Sequence, residues 1–201
     1  MTLRPRAVRF GMGARLARAL LRLAGWRTVF VPPPAAKTVV VVYPHTSNWD
    51  FVVGFLARAA VGLRCHFVAK ASLFRGPFGA WLGRVGGIPV DRSAPTGFVE
   101  QVAMHFERAD EFHLVFTPEG TRARTAHWKT GFYRVARAVK APVGLAFIDY
   151  GRREVGVAEW ISLSGDPRRD LERMHRVYAG KVGRHPAQQG PIRFAPPGED
   201  A

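Results

Sequence analysis

At 201 residues with 47% hydrophobic side chains, the chain has material for one domain with its own core and is not a disordered polymer. Its one cysteine, Cys65, excludes an internal disulfide framework and suits a reducing compartment. Thirty Lys and Arg against 15 Asp and Glu leave a formal charge of +15. That charge favours polyanionic partners (nucleic acid, lipid headgroups or phosphorylated substrates), among which composition does not choose.

The N-terminus is basic throughout: Arg4, Arg6, Arg9, Arg15, Arg18, Arg22 and Arg27 precede Asp50, the first acidic residue. In "MGARLARALLRLAGW", helical spacing places Met12, Leu16, Leu20 and Leu23 on one face, with Arg15, Arg18 and Arg22 beside it. This pattern fits a helix lying in a membrane interface, and equally a helix packed on its own domain with a basic edge. A transit peptide ranks last, because the segment lacks serine enrichment. No apolar run approaches the roughly 18 residues needed to span a bilayer. "VPPPAAK" (31–37) then reads as a stiff linker.

Beyond it, strands and helices alternate. "TVVVVYP" (38–44) is a buried strand, 48–60 a helix, 64–70 a strand, 76–86 a short helix weakened by glycine, and 88–90 a brief strand. Residues 95–109 form a helix with Phe98, Val102 and Phe106 on one face; 112–117 is a strand, 131–140 a helix, and 142–150 and 154–163 strands. Residues 166–182 form a helix with Asp166 as N-cap, Pro167 in its first turn and Leu171, Met174 and Tyr178 as its apolar stripe. Cys65, within the second strand, reads as a small buried hydrophobe rather than a reactive thiol. The Pro- and Gly-rich stretch from His185 reads as loose. Three units follow: a basic helix and linker (1–36), a main domain (37–184) and a loose C-terminal tail (185–201). The alternation predicts an α/β domain with a mostly parallel central sheet flanked by helices.

In such sheets, sites form where loops leave the carboxyl ends of strands. The loop "PHTSNWD" carries His45 and Asp50. A neutral imidazole removes a proton near neutral pH when a carboxylate holds its other nitrogen. The plain alternative is a loop histidine and a helix N-terminal charge. The loop "TPEGTRAR" carries Gly120 for close backbone approach, Thr121 and Arg122 for a phosphate, and Glu119 to orient Arg122 or bind a hydroxyl. The plain alternative here is a polar turn. Lys70, Arg92 and Arg122 stand at three strand ends and could form one cationic pocket. No nucleophile-elbow serine or cysteine accompanies His45, and no metal-ligand spacing is present.

Together these blocks resemble the lysophosphatidate (glycerolipid) acyltransferase family. "HTSNWD" is similar to its H-x4-D motif, "FVAKASLFRGPFGAWLGRVGGIPVDRS" to its second block, "FTPEGTR" to its E-G-T-R block and "WKTGFYRVARAVKAPVGLAFI" to its final block, over residues 37–149. The resemblance implies acyl transfer from acyl-CoA or acyl carrier protein, as co-substrate and without a further cofactor, to a lysophospholipid hydroxyl. His45 would be the general base, Asp50 its orienter, and Lys70, Arg92, Glu119, Gly120, Thr121 and Arg122 the acceptor site. It also implies a peripheral place on the inner face of the cell membrane, against anionic lipid, with no nucleic-acid partner. Pro44, Ser72, Thr117 and Leu145 depart from the family pattern and leave open a non-phosphatidate acceptor. The length leaves little room for an acyl-chain tunnel beyond the core. The rivals are a thioesterase or lipid hydrolase and, outside enzymes, a basic nucleic-acid-binding module.

Overall fold

The computed structural model describes residues 11–91 and 97–196. Seven strands form one sheet: β1 (Arg27–Phe30), β2 (Lys37–Val42), β3 (Cys65–Lys70), β4 (Gly87–Val90), β5 (Phe112–Phe116), β6 (Val143–Asp149) and β7 (Glu154–Ile161), in the order β1-β7-β6-β2-β5-β3-β4. Among the described residues, only the β6–β7 pair is antiparallel. The valine run explains the central position of β2. Val39, Val40 and Val41 are all buried, so this strand is covered on both faces, and β-branched side chains fill both pleats.

Among the described residues, six α-helices flank the sheet: α1 (Met12–Leu23), α2 (Trp49–Val61), α3 (Gly76–Arg84), α4 (Phe98–Arg108), α5 (Gly131–Ala138) and α6 (Pro167–Tyr178). Parallel strands joined through a helix take a right-handed crossover, so the direction of each strand step fixes the helix's side. The steps β2 to β3 to β4 run one way and put α2 and α3 on one face. The steps β4 to β5 to β6 run back and put α4 and α5 on the other. The packing agrees. Val102 and Phe106 of α4, Phe132 and Val135 of α5, and Met174 and Tyr178 of α6 join Val39, Val41 and Leu114 in the larger core. Ala17 and Leu21 of α1 meet Val53, Ala57 and Ala60 of α2 over Ile148 and Val155. The side chain of Asp166 caps α6 by accepting from the Arg168 amide.

Two expectations need correction, and one open alternative is decided. The boundary at 36/37 does not divide the fold, because residues 27–30 form β1 and pair with β7. Gly156 permits this: at φ +151 it lies against Val29, and a Cβ there would meet the Val29 carbonyl oxygen at 1.6 Å. On α1 the leucine stripe does not face the domain. Met12, Leu16, Leu20 and Leu23 are exposed, while Ala14, Ala17 and Leu21 are buried. Small alanines let two helices approach closely, and that advantage outweighs the larger apolar stripe. Lastly, residues 185–196 are not loose. The Trp128 amide donates to the Arg193 carbonyl at 2.7 Å, and Phe194 packs on Phe132 and Tyr133.

Candidate active site

The sheet order sets the carboxyl ends of β2, β5, β3 and β4 side by side, so their loops converge. The loop after β2 carries His45 and runs into α2, whose first turn holds Asp50. Asp50 is 3% exposed. Its Oδ2 accepts the amides of Thr46 (2.7 Å) and Ser47 (2.9 Å) and lies 3.2 Å from His45 Nδ1. Its Oδ1 accepts the Tyr150 hydroxyl at 2.9 Å. Burial pushes the Asp50 carboxyl up, but hydrogen bonds from His45, the Ser47 amide and Tyr150 outweigh it and hold the group below its ordinary range. An ionised Asp50 fixes the proton on His45 Nδ1 and leaves Nε2 as the basic nitrogen. The close pair expected from the spacing is therefore formed.

Glu119, which the sequence reading assigned to Arg122 or to a substrate hydroxyl, does something else. It is fully buried, with Oε2 accepting the His45 amide (2.7 Å) and Oε1 the Gly190 amide (3.1 Å). Burial raises its carboxyl above the ordinary value, partly offset by those two amides. Glu119 therefore holds the backbone of the histidine loop, each of its oxygens accepting a backbone amide. Gly120 closes the turn at φ +67, its amide donating to the Thr117 carbonyl (3.0 Å), and a Cβ there would meet Lys129 Cε at 2.9 Å. Thr121 and Arg122 are exposed, and the Thr121 hydroxyl accepts the Ala123 amide at 3.2 Å. Lys70 is exposed at the end of β3, opposite Val90. Arg92 lies outside the described residues.

His45 and Asp50 line a cavity of about 850 Å³ bordered by α2, the sheet, the 117–120 turn and the start of α5. Val40, Val42, Ala146 and Val157 line its floor, and Gly54 and Phe55 of α2 its roof. The space lies inside the core layer, and residues as small as Gly54 and Ala146 help to open it. Lys129 and Arg134 line the cavity, whereas Lys70 and Arg122 do not. Lys129 belongs to the "WKTG" block, so its motif was visible while its place was not. Tyr150 escaped notice because it follows β6, 100 residues from Asp50. Cys65 also borders the cavity, and burial pushes its thiol up to about 12, so it is protonated and inert.

Comparison with known proteins bears on the family and the fold. An acyltransferase family model matches residues 31–144, more than half the chain. The chain belongs to the acyltransferase family. A 1-acyl-sn-glycerol-3-phosphate acyltransferase of Streptococcus pneumoniae (strain ATCC BAA-255 / R6) is 29% identical over 91 residues, 45% of this chain and 34% of that protein. The match thus spans about a third of the length of that curated relative. The crystal structure of the 1-acyl-sn-glycerophosphate (LPA) acyltransferase PlsC from Thermotoga maritima superposes with a TM-score of 0.54 at 17% identity, over 84% of this chain and 74% of that one. The two share a fold, an α/β core with a mostly parallel sheet flanked by helices. The family match covers the loop of His45 and Asp50 and the turn of Glu119.

Proposed function

We propose that this acyltransferase-family chain moves a fatty acyl group from a thioester, acyl-CoA or acyl carrier protein, to the hydroxyl of a lysophospholipid-like acceptor in phospholipid biosynthesis. One observation carries the reading: a His45–Asp50 pair opens on a largely apolar cavity of about 850 Å³, within the size range of ligand sites. His45 Nε2 takes the hydroxyl proton as that oxygen attacks the thioester carbonyl. The C–S bond then breaks, and the imidazolium returns the proton to the departing thiolate. Asp50 stabilises the imidazolium between these steps. The acyl chain lies along Val40, Val42 and Ala146, where each buried methylene contributes about 0.8 kcal/mol. Lys129, with Lys70 and Arg122 on the adjoining loops, holds phosphate on the acceptor or donor.

The same reading places the protein on the surface of an anionic bilayer, as a peripheral protein of the inner face of the cell membrane. Exposed apolar side chains gather on the helices of one sheet face: Leu16 and Leu20 of α1, Phe51 and Phe55 of α2, and Phe78 and Trp81 of α3. Arg15 and Arg22 are exposed on α1. No helix among the described residues is long and apolar enough to cross a membrane. An interfacial apolar face rimmed by arginine suits anionic lipid.

The test combines purified protein, long-chain acyl-CoA or acyl carrier protein, and a panel of lysolipids. Acylated lipid is the expected product, and His45→Ala should lower its rate by about 10²-fold or more. Free fatty acid as the main product would replace transfer with hydrolysis. Salt-sensitive DNA binding without lipid binding would replace both.

A further inference from the structure

The C-terminal segment that read as loose in the sequence makes its hydrogen bonds to the two loops that form the site. Gln189 Nε2 donates to Tyr43 Oη (3.1 Å) and to the Lys181 carbonyl (3.0 Å), and its Oε1 accepts the Gly183 amide (3.1 Å). Tyr43 Oη donates to the Gly190 carbonyl at 2.7 Å. The Gly190 amide donates to Glu119, whose other oxygen accepts the His45 amide. The His185 amide donates to Thr46 Oγ1 at 3.1 Å, and the Gln188 amide group reaches the carbonyls of Thr46 and Arg122, both at 2.9 Å. Gly183 makes room for this approach, since a Cβ there would meet Thr46 Oγ1 at 2.7 Å.

Residues 43, 45 and 46 are thus tied to this segment directly or through one buried carboxylate. Residues 184–188 are themselves exposed and none of them joins the larger apolar core. We propose that residues 181–190 are a positioning strap, with Gln189 and Tyr43 as its clasp, that fixes the His45 backbone against the 117–120 turn through Glu119. The strap touches no substrate. It narrows the range of His45 orientations, and a rate that depends on alignment falls steeply when a catalytic group is loosened.

The inference rests on acyl transfer for its kinetic readout, but it also has a structural readout independent of activity. The full chain is compared with Gln189→Ala and with Tyr43→Phe, which keeps the ring packed on Trp128 and Tyr178. Both variants should lower kcat about tenfold with KM for donor and acceptor within about twofold. Amide exchange in a peptide covering residues 43–48 should quicken about tenfold, while exchange in β2 and the melting temperature stay unchanged. Unaltered exchange and kcat would overturn the strap. So would a general rise in exchange through β2 with a lower melting temperature, since that would mark a merely stabilising segment. If the unsubstituted protein transfers no acyl group, the acyl-transfer reading falls, and exchange at residues 43–48 alone decides the strap.

Discussion

The Tyr150 phenol takes up Asp50 Oδ1 while Oδ2 serves His45 and two amides, so neither oxygen of the carboxylate is left to rotate. Burial, then the bond to Asp50 and its charge, raise the phenol above its ordinary value, so it keeps the proton it donates. Tyr150→Phe retains the edge contact with Trp26 and removes one hydrogen bond to a charged group. We expect kcat/KM to fall about tenfold and, because such a bond contributes roughly 1.5 kcal/mol to stability, the melting temperature to fall by about 3–6 °C. The Asp50 carboxyl also links stability to pH. Its folded value lies below the ordinary carboxylate value of about 3.9, so its contribution is complete above that value and is lost as pH falls through the folded one. Urea unfolding at pH 7 and at pH 3 should show a smaller acid-induced loss in Asp50→Asn than in the unsubstituted protein. An identical loss in both would show that Asp50 is not a source of the acid sensitivity. The His–Asp pair was legible because four intervening residues and a helix start bring it together locally. The partners Tyr150 and Gly190 were not, because each arrives from another part of the chain.

At the scale of elements, long β-branched or strongly periodic segments declared themselves, as in β2, α4 and α6. Short or irregular ones did not. Four residues, "RTVF", are too few to show alternation, and β1 exists because β7 offers an edge and Gly156 lets it close. The leucine stripe on α1 was read correctly as a stripe, but amphipathicity alone cannot tell which face meets the protein. Ala14, Ala17 and Leu21 do so, which leaves Leu16 and Leu20 outward. Their exposure makes them separable from folding. Leu16→Glu with Leu20→Glu should leave the melting temperature within about 2 °C and lower co-sedimentation with anionic vesicles by about tenfold or more. Unchanged co-sedimentation would remove α1 from the membrane contact.

Across the whole molecule, the two faces of the sheet are filled differently. The face under α4, α5 and α6 is packed around Trp128 and Tyr178, which stand away from the cavity, whereas the side under α2 borders it with Phe51, Gly54 and Phe55. Close packing is the default for protein interiors, so an apolar space beside the His45–Asp50 pair is a cost to stability, which the proposed acyl chain would offset. Gly54 tests this directly. It sits inside α2, lines the cavity, and a Cβ added there would meet only Ile148 Cδ1, at an ordinary 3.8 Å. Gly54→Leu should therefore stabilise the helix by roughly 0.5–1 kcal/mol, because leucine is the better helix former, and add the burial of the new side chain. The same leucine occupies space along the acyl path one helical turn beyond Asp50. Excluding a methylene from that path forfeits about 0.8 kcal/mol, close to a fourfold loss of donor affinity for each one. The variant should melt at a higher temperature than the parent and yet lose activity progressively as the donor chain lengthens, with short-chain donors spared. A uniform loss across chain lengths would mean that the acyl group does not enter this cavity.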